Sequence, residues 1–198
     1  DSLPIANYFL NSTVVAIATG LLNMLVAAMA AYPLAKMRFA GREFIFYLLL
    51  ATLIVPAQLT YIPSFILAVN VFHYYDTLPA LIFPNIVSAF NIFLLRQAFR
   101  GVPDELVDAA RVDGAGEWRI FAGIVVPLAW PGFLTVGLVV ALSVWNEFLL
   151  ATVFLTKQEL FTVVTSYYNF QTRFSRDWAL TSAAAMMRIS ERHCSCPP

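Results

Sequence analysis

Charged side chains are scarce in this chain of 198 residues: 12% are charged and 60% are hydrophobic, and the mean hydropathy is +0.74. An ordinary soluble domain carries about 25% charged residues. The composition therefore predicts a membrane protein. The 12 basic and 12 acidic residues cancel to a formal charge of zero. Because no basic excess is present, we exclude nucleic-acid binding as a function class.

The residues that enzymes and metal sites require are also few. His73 and His193 are the only histidines, and both cysteines lie in the C-terminal tail, which offers too few ligands for a metal site. The patterns G-x-S-x-G and H-E-x-x-H are absent. Neither lysine, Lys36 or Lys157, follows a glycine, so the chain has no phosphate-binding G-x-x-x-x-G-K loop. We predict that the chain is not an enzyme and binds neither a metal nor a cofactor.

Long uncharged runs predict helices that cross a membrane, because a hydrocarbon core of about 30 Å requires about 20 apolar residues. The expected spans cover residues 13–35, 44–67, 77–95 and 128–148, with a short fifth run at 178–187. Pro56 and Pro63 predict that the second span is kinked and faces other protein helices. The fifth run is too short to cross, which indicates a truncated helix or a re-entrant segment.

The ends of these runs indicate how the chain is oriented. Seven basic residues fall on one side and three on the other, so the first side is expected to be cytoplasmic. The polar, aromatic turn at 73–76 and the polar, aromatic loop at 156–176 are then expected on the outer side. The transmembrane domain is expected to cover 1–187. The remaining residues, 188–198, differ in composition from the rest, which indicates a shifted reading frame, a cloning remnant or a cytoplasmic tail.

Residues 102–127 form the one long charged segment between apolar runs, and we call them the coupling loop. Pro103 and the acidic residues that follow it predict the start of a helix. Leu106, Ala109, Ala110 and Asp113 share one face of that helix by their spacing. Gly114 tolerates positive φ and is expected to end the helix. A second apolar series then predicts a helix, a sharp turn and a second helix.

The coupling loop resembles the cytoplasmic E-A-A loop of permease subunits of bacterial ABC importers. That loop reads E-A-A, three residues, G, nine residues, I, one residue, L-P; here Asp108 replaces Glu and Val126 replaces Leu. The resemblance implies that the loop docks on a separate ATPase subunit. The docking residues that it implies are Glu105, Leu106, Asp108, Ala109, Ala110, Arg111, Asp113, Gly114, Ile124 and Pro127. An amphipathic helix lying on lipid is the alternative, but such helices are usually basic on their polar face.

Other stretches are similar to the carbohydrate-type permeases of this family, the smaller of two membrane subunits. They include I-V-P-A-Q-L-T-Y-I-P at 54–63, F-L-L-R-Q-A-F-R at 93–100 and W-N-E-F at 145–148. The resemblance implies an all-α, polytopic bundle with the MetI-like fold of type I ABC importers, in a bacterial inner membrane. It also implies a second permease, an ATPase dimer that binds ATP and magnesium, an extracytoplasmic solute-binding protein and a sugar-class substrate.

The substrate path is harder to predict. Gln58, Tyr61, Asn91 and Asn146 are polar residues within or near apolar runs, so they are expected to face a cavity or to bond neighbouring helices. Glu147 is expected near the outer interface, as a headgroup-level anchor or a subunit contact. An importer of another small solute and a free-standing secondary transporter are the alternative functions. The second would be expected to show an internal repeat, and none is seen. A purely structural membrane anchor would not need the coupling loop.

Overall fold

A computed structural model describes residues 5–173, and every regular element in that range is helical. The α-helices are, in chain order, α1 (Ile5–Lys36), α2 (Arg42–Ala51), α3 (Tyr61–Asn70), α4 (Pro79–Ile82), α5 (Ala89–Arg100), α6 (Asp104–Val112), α7 (Glu117–Ile120), α8 (Val126–Leu128), α9 (Trp130–Trp145), α10 (Leu149–Phe154) and α11 (Val163–Arg173). Short 3-10 turns cover Thr52–Ile54, Ala57–Thr60, Phe83–Asn85 and Gln158–Leu160, and Phe121–Val125 is π-helical.

Within residues 5–173, α1 is the one continuous helix long and apolar enough to cross a membrane. Three further pairs of segments reach that length only together, across breaks bent by 90°, 53° and 76°. The second predicted span breaks at Pro56, while Pro63 lies in the first turn of α3. The third and fourth are broken too, which the sequence analysis did not predict, and α9 ends at Trp145 rather than at 148.

The breaks have local causes. Before α5, Ser88 adopts an extended conformation and its Oγ accepts a hydrogen bond from the N–H of Asn91 at 3.4 Å. A serine at this position starts a new helix rather than continuing the old one. Before α9, Ala129 leaves helical geometry and Pro131 follows in the first turn. A proline without an N–H fits the first turn of a new helix better than the interior of a long one.

The prediction that 156–176 is a loop is wrong for residues 163–173, which form α11. The helix starts at a cap: Thr162 Oγ1 accepts from the N–H of Thr165 at 3.4 Å, and Ser12 Oγ accepts from the N–H of Val163 at 3.0 Å. Aromatic and β-branched residues have modest helix propensity, so the composition concealed this helix. The predicted run 178–187 and the tail 188–198 lie outside the described residues.

α1 is the centre of the bundle and packs along its length against α5 and α9. Its inward face carries small residues, among them Ala27, Ala28 and Ala31, all fully buried. Small side chains let neighbouring backbones approach closely. Near the end of α1 they meet Leu95 and Phe99 of α5, whereas a second apolar cluster surrounds its start. The coupling loop adjoins the end of α1, and the segment around Glu159 adjoins its start through Asn11.

Gly132 marks a close approach between α5 and α9. A Cβ at this position would lie 2.4 Å from Cβ of Ala98. We therefore expect Gly132→Ala to lower the free energy of unfolding by about 1 to 3 kcal/mol, since neither helix backbone can move aside easily. Thermal unfolding of the purified chain in detergent measures the effect. Gly137→Ala is the matched control, because its nearest neighbour is the flexible Met24 Sδ at 3.4 Å.

Ala98→Gly tests the cause. Glycine in a helix costs about 1 kcal/mol by itself, so the double variant is compared with the sum of the two single variants. If Ala98→Gly removes the clash, the double variant should lose less free energy of unfolding than the two single variants lose together. Simple additivity would show that Gly132 and Ala98 do not interact.

A buried arginine joins α1, α2 and α5. The Arg96 guanidinium donates to Glu43 Oε1 at 2.7 Å and Oε2 at 2.8 Å, and its Nε donates to the carbonyl of Leu34 at 3.0 Å. The ring of Phe46 lies below it, with the guanidinium carbon 3.6 Å from the ring centroid. The side chain is 2% exposed. Arg96 thus holds three helices together at the end of the bundle near the coupling loop.

At the other end, the turn at residues 73–76 is fastened to the chain after α10. Asp76 adopts positive φ, and its Oδ1 accepts from the N–H groups of Thr156 at 2.9 Å and Lys157 at 3.1 Å. These hydrogen bonds and the Lys157 ammonium hold the pKa of the Asp76 carboxyl below its usual value, against the effect of burial. Two segments far apart in sequence therefore form one ordered surface.

Candidate functional site

The coupling loop folds as the predicted helix, turn and helix. Pro103 precedes α6 as its N-cap rather than occupying its first turn, and Gly114 has φ of 79°. The N–H of Gly114 donates to the carbonyl of Arg111 at 3.0 Å, and that of Ala115 donates to Ala110 at 2.9 Å. This pair of bonds is the Schellman motif, which ends a helix at a left-handed residue. The turn therefore has one defined geometry.

Arg111 fixes the position of α7 relative to α6. Its Nε donates to Glu117 Oε1 at 2.9 Å, and one terminal nitrogen donates to Asp108 Oδ1 at 3.0 Å. The hydrogen bond from Arg111, then that from Tyr32, lower the pKa of Glu117, and the pKa of Arg111 is raised in turn. Both groups remain charged at neutral pH. Arg111 therefore orders the loop, and its docking role stays a prediction.

Lys36, the last residue of α1, holds both ends of α6. Its ammonium is buried and donates to the carbonyl of Val102 and to Asp104 at the start of α6. Its own carbonyl accepts from Arg111 near the end of α6, at 3.3 Å. The hydrogen bond from Lys36 holds the pKa of the Asp104 carboxyl below its usual value. The loop is thus anchored to the central membrane helix.

The structure separates the inward from the outward residues of the loop. Val107 is 1% exposed and anchors α6 to the core, and Ala110 is half-buried beside it. The sequence analysis placed Ala110 on the docking face and did not single out Val107. The spacing of 107, 110 and 111 was the available signal, because it defines a second helical stripe.

The exposed side of the loop carries four apolar residues. Leu106 is 44% exposed, Val112 88% and Trp118 69%, and Ala109 lies exposed beside them. Three acidic residues, Glu105, Asp108 and Asp113, are exposed on the same loop, and we call the four exposed apolar residues the outward patch. Sequence reasoning missed Val112 and Trp118; the signal for both was a large apolar side chain within an otherwise charged segment.

Ile124 and Pro127 lie in later helical segments than α6. Ile124 is half-buried in the π-helical stretch Phe121–Val125, and Pro127 is exposed in α8. Both belong to the segment that leads from α7 to the break before α9. Their place in the loop motif therefore corresponds to the connection between the loop and the membrane helix.

The four residues predicted for the substrate path are divided between two places. Asn91 is buried and its Nδ2 donates to Asn23 Oδ1 at 2.7 Å, so it bonds α5 to α1. Tyr61 donates to Glu147 Oε2 at 3.2 Å. Gln58 and Asn146 are neighbours of that pair in sequence; Gln58 is exposed, and Asn146 Nδ2 donates to the carbonyl of Leu142 at 2.7 Å.

Glu147 has a role that the sequence analysis did not assign to it. Its Oε1 accepts from the N–H of Leu150 at 3.0 Å, in the first turn of α10. Together with the bond from Tyr61, this contact joins α3, Glu147 and the start of α10. Among residues 5–173, no group of three or more His, Cys, Asp or Glu side chains is placed to hold a metal ion.

The broken apolar helices and the anchored helix-turn-helix loop define a class, that of α-helical subunits of membrane transporters. Comparison with known families is more specific. The model of the family described as "Binding-protein-dependent transport system inner membrane component" matches residues 23–190. The chain belongs to this family.

Individual relatives agree with the family. The diacetylchitobiose uptake system permease protein NgcG of Streptomyces coelicolor is 40% identical over 157 residues, which are 78% of this chain and 52% of that protein. The arabinooligosaccharides transport system permease protein AraQ of Halalkalibacterium halodurans is 34% identical over 182 residues, 92% of this chain and 65% of that protein. The chain thus spans about half to two thirds of the length of these relatives.

A solved structure shares the fold. It is a bacterial ABC transporter involved in the import of the acidic polysaccharide alginate. The match has a TM-score of 0.78 and 25% sequence identity, and it covers 94% of this chain and 65% of that one. The all-α, MetI-like fold expected from the sequence is confirmed.

Proposed function

We propose that the chain is the permease subunit of an ATP-driven importer for a sugar or a sugar derivative. The relatives named above are permeases for diacetylchitobiose and arabinooligosaccharides, and the solved structure concerns alginate import. All three substrates are carbohydrates. Uptake of labelled oligosaccharides by cells with and without the gene tests the substrate class.

The observation that carries the coupling role is the outward patch of the coupling loop. Leu106, Val112 and Trp118 are exposed there, on helices held by the Gly114 turn and the Arg111–Glu117 pair. An exposed apolar centre with a charged rim is typical of a protein interface. The patch therefore fits the surface of a cytoplasmic ATPase subunit, on which ATP and magnesium bind and hydrolysis takes place.

The remaining partners follow from the same function. A second permease would complete the translocation path between the two membrane subunits, and an extracytoplasmic binding protein would deliver the sugar. The outer face of α1 exposes Leu10, Ile17, Leu21 and Leu25 at helical spacing. Lipid or the second permease covers such a face in a membrane.

Leu106→Arg tests the docking surface. A charge at the centre of an apolar interface is expected to lower ATPase affinity by about tenfold or more, while the fold is retained because Leu106 faces outward. Co-purification with a tagged ATPase subunit measures the effect. Leu106→Met is the matched control, since it conserves volume and apolarity, and Asp108→Glu is expected to be neutral.

Normal co-purification of Leu106→Arg would contradict the proposed docking surface. Ala110→Arg is also expected to prevent ATPase association, but it is the weaker test. Ala110 is half-buried against its own chain, so a long charged side chain there disturbs the loop as well as the interface.

A further inference from the structure

A cavity of about 800 Å³ lies beside the coupling loop, outside the surface proposed for the ATPase. The end of α1, the turn at 38–41, the start of α2, Arg100 and Asp104 line it. Gly41 shapes the turn with φ of 86°, and a Cβ there would meet open space. The cavity is therefore open, and nothing assigned so far uses it.

The lining of the cavity carries a positive excess. Lys36, Arg38, Arg42 and Arg100 are its basic residues, and Glu43 and Asp104 are its acids. Both acids are already paired: Asp104 with Lys36, and Glu43 with Arg42 and the buried Arg96.

Arg38 and Arg100 provide the excess. Both side chains are exposed, and neither forms an ion pair within the described part of the chain. Asp104 acts electrostatically on Arg38, but its ion pair is with Lys36, so the four basic residues of the lining still exceed its two acids. A planar guanidinium binds phosphate oxygens through two parallel hydrogen bonds, so a phosphate group matches this pair of residues.

The position of the cavity indicates the source of the phosphate. It lies at the end of α1, the helix long enough to cross the membrane, where lipid headgroups are found. Next to it, α2 exposes Phe44 by 71%, Tyr47 by 64% and Leu48 by 59%. An apolar face directly beside a basic cavity can accommodate acyl chains and a headgroup at once.

We propose that this cavity binds the headgroup of an anionic phospholipid, with Arg38 and Arg100 contacting the phosphate and the exposed face of α2 contacting the acyl chains. The site goes beyond the proposed transport function and requires only that the chain is inserted in a membrane. Asp104 belongs both to the cavity wall and to the first turn of α6, so a bound lipid adjoins the coupling loop.

Native mass spectrometry of the permease in complex with its partner subunits tests the proposal. Phosphatidylglycerol and phosphatidylcholine with identical acyl chains are the probes. The unaltered protein is expected to prefer phosphatidylglycerol by about tenfold, because each unpaired arginine adds attraction for an anionic lipid. Arg38→Gln with Arg100→Gln is expected to remove that preference. Arg119→Gln, an exposed arginine that does not line the cavity, is the matched control and should retain it.

Three outcomes would overturn the proposal. The first is an equal preference in the double variant and in Arg119→Gln. The second is no preference in any of the proteins, which would mean that another subunit or solvent occupies the cavity. The third is displacement of phosphatidylglycerol by millimolar inorganic phosphate, which would assign the site to a free anion. ATPase co-purification of the double variant should be normal, so failure of the lipid site and failure of ATPase docking are distinguishable.

Discussion

Gly114→Pro is expected to abolish co-purification of the ATPase subunit while the chain still inserts into the membrane. Gly114 has φ of 79°, whereas proline requires φ near −65°. Proline also lacks the N–H that donates to the carbonyl of Arg111 at 3.0 Å. The Schellman turn cannot form, so α7 no longer packs beside α6 and the outward patch loses its shape.

Two alanine variants show whether backbone conformation is the cause. Gly114→Ala retains the N–H and meets no steric clash, but it places alanine at positive φ, which costs about 1 to 2 kcal/mol. Partial co-purification is therefore expected. Gly116→Ala should behave normally, because Gly116 has φ of −69° and open space around it. Full ATPase binding by Gly114→Pro would show that the turn has no role in docking.

Arg96→Ala is expected to cause a large loss of stability. It leaves the Leu34 carbonyl without its hydrogen bond, and it leaves the Glu43 carboxylate with Arg42 as its one remaining ion-pair partner. Breaking a buried pair costs about 3 to 5 kcal/mol. Because the Glu43 side chain is 46% exposed and can be hydrated, we expect about 2 to 4 kcal/mol here.

Thermal unfolding in detergent without anionic lipid measures this loss. Arg100→Ala is the matched control, one helical turn further along α5 and exposed, and its melting temperature should be unchanged within error. The melting temperature of Glu43→Gln should lie between those of Arg96→Ala and Arg100→Ala, since Arg96 would keep its hydrogen bond to Leu34. A normal melting temperature for Arg96→Ala would show that Arg96 does not hold α1, α2 and α5 together.

The family and the loop were predictable from the sequence because both depend on local patterns. The motif spacing from Asp108 to Pro127 can be read directly from the sequence. The positive φ of Gly114 was predictable because glycine, which has no side chain, tolerates that conformation. Apolar runs likewise marked the membrane segments. These features required no knowledge of which helices are neighbours.

What the sequence could not show depends on contacts between distant segments. In the sequence Arg96 directly follows the predicted span 77–95, and its burial depends on Glu43 and Leu34, which lie more than 50 positions away. Val107 and Leu106 are adjacent apolar residues, and only packing decides which one faces inward. The cap of α11 requires Ser12, at the opposite end of the described chain.

The double attachment of α6 to Lys36 determines what kind of motion can pass from the loop to the membrane. The two contacts, at Asp104 and at Arg111, are seven residues apart, or about 10 Å along the helix axis. A single contact would act as a pivot and would transmit only a pull. Two contacts at that separation hold α6 at two points, so a tilt of α6 would apply a torque to the last turn of α1, the helix around which the bundle is packed.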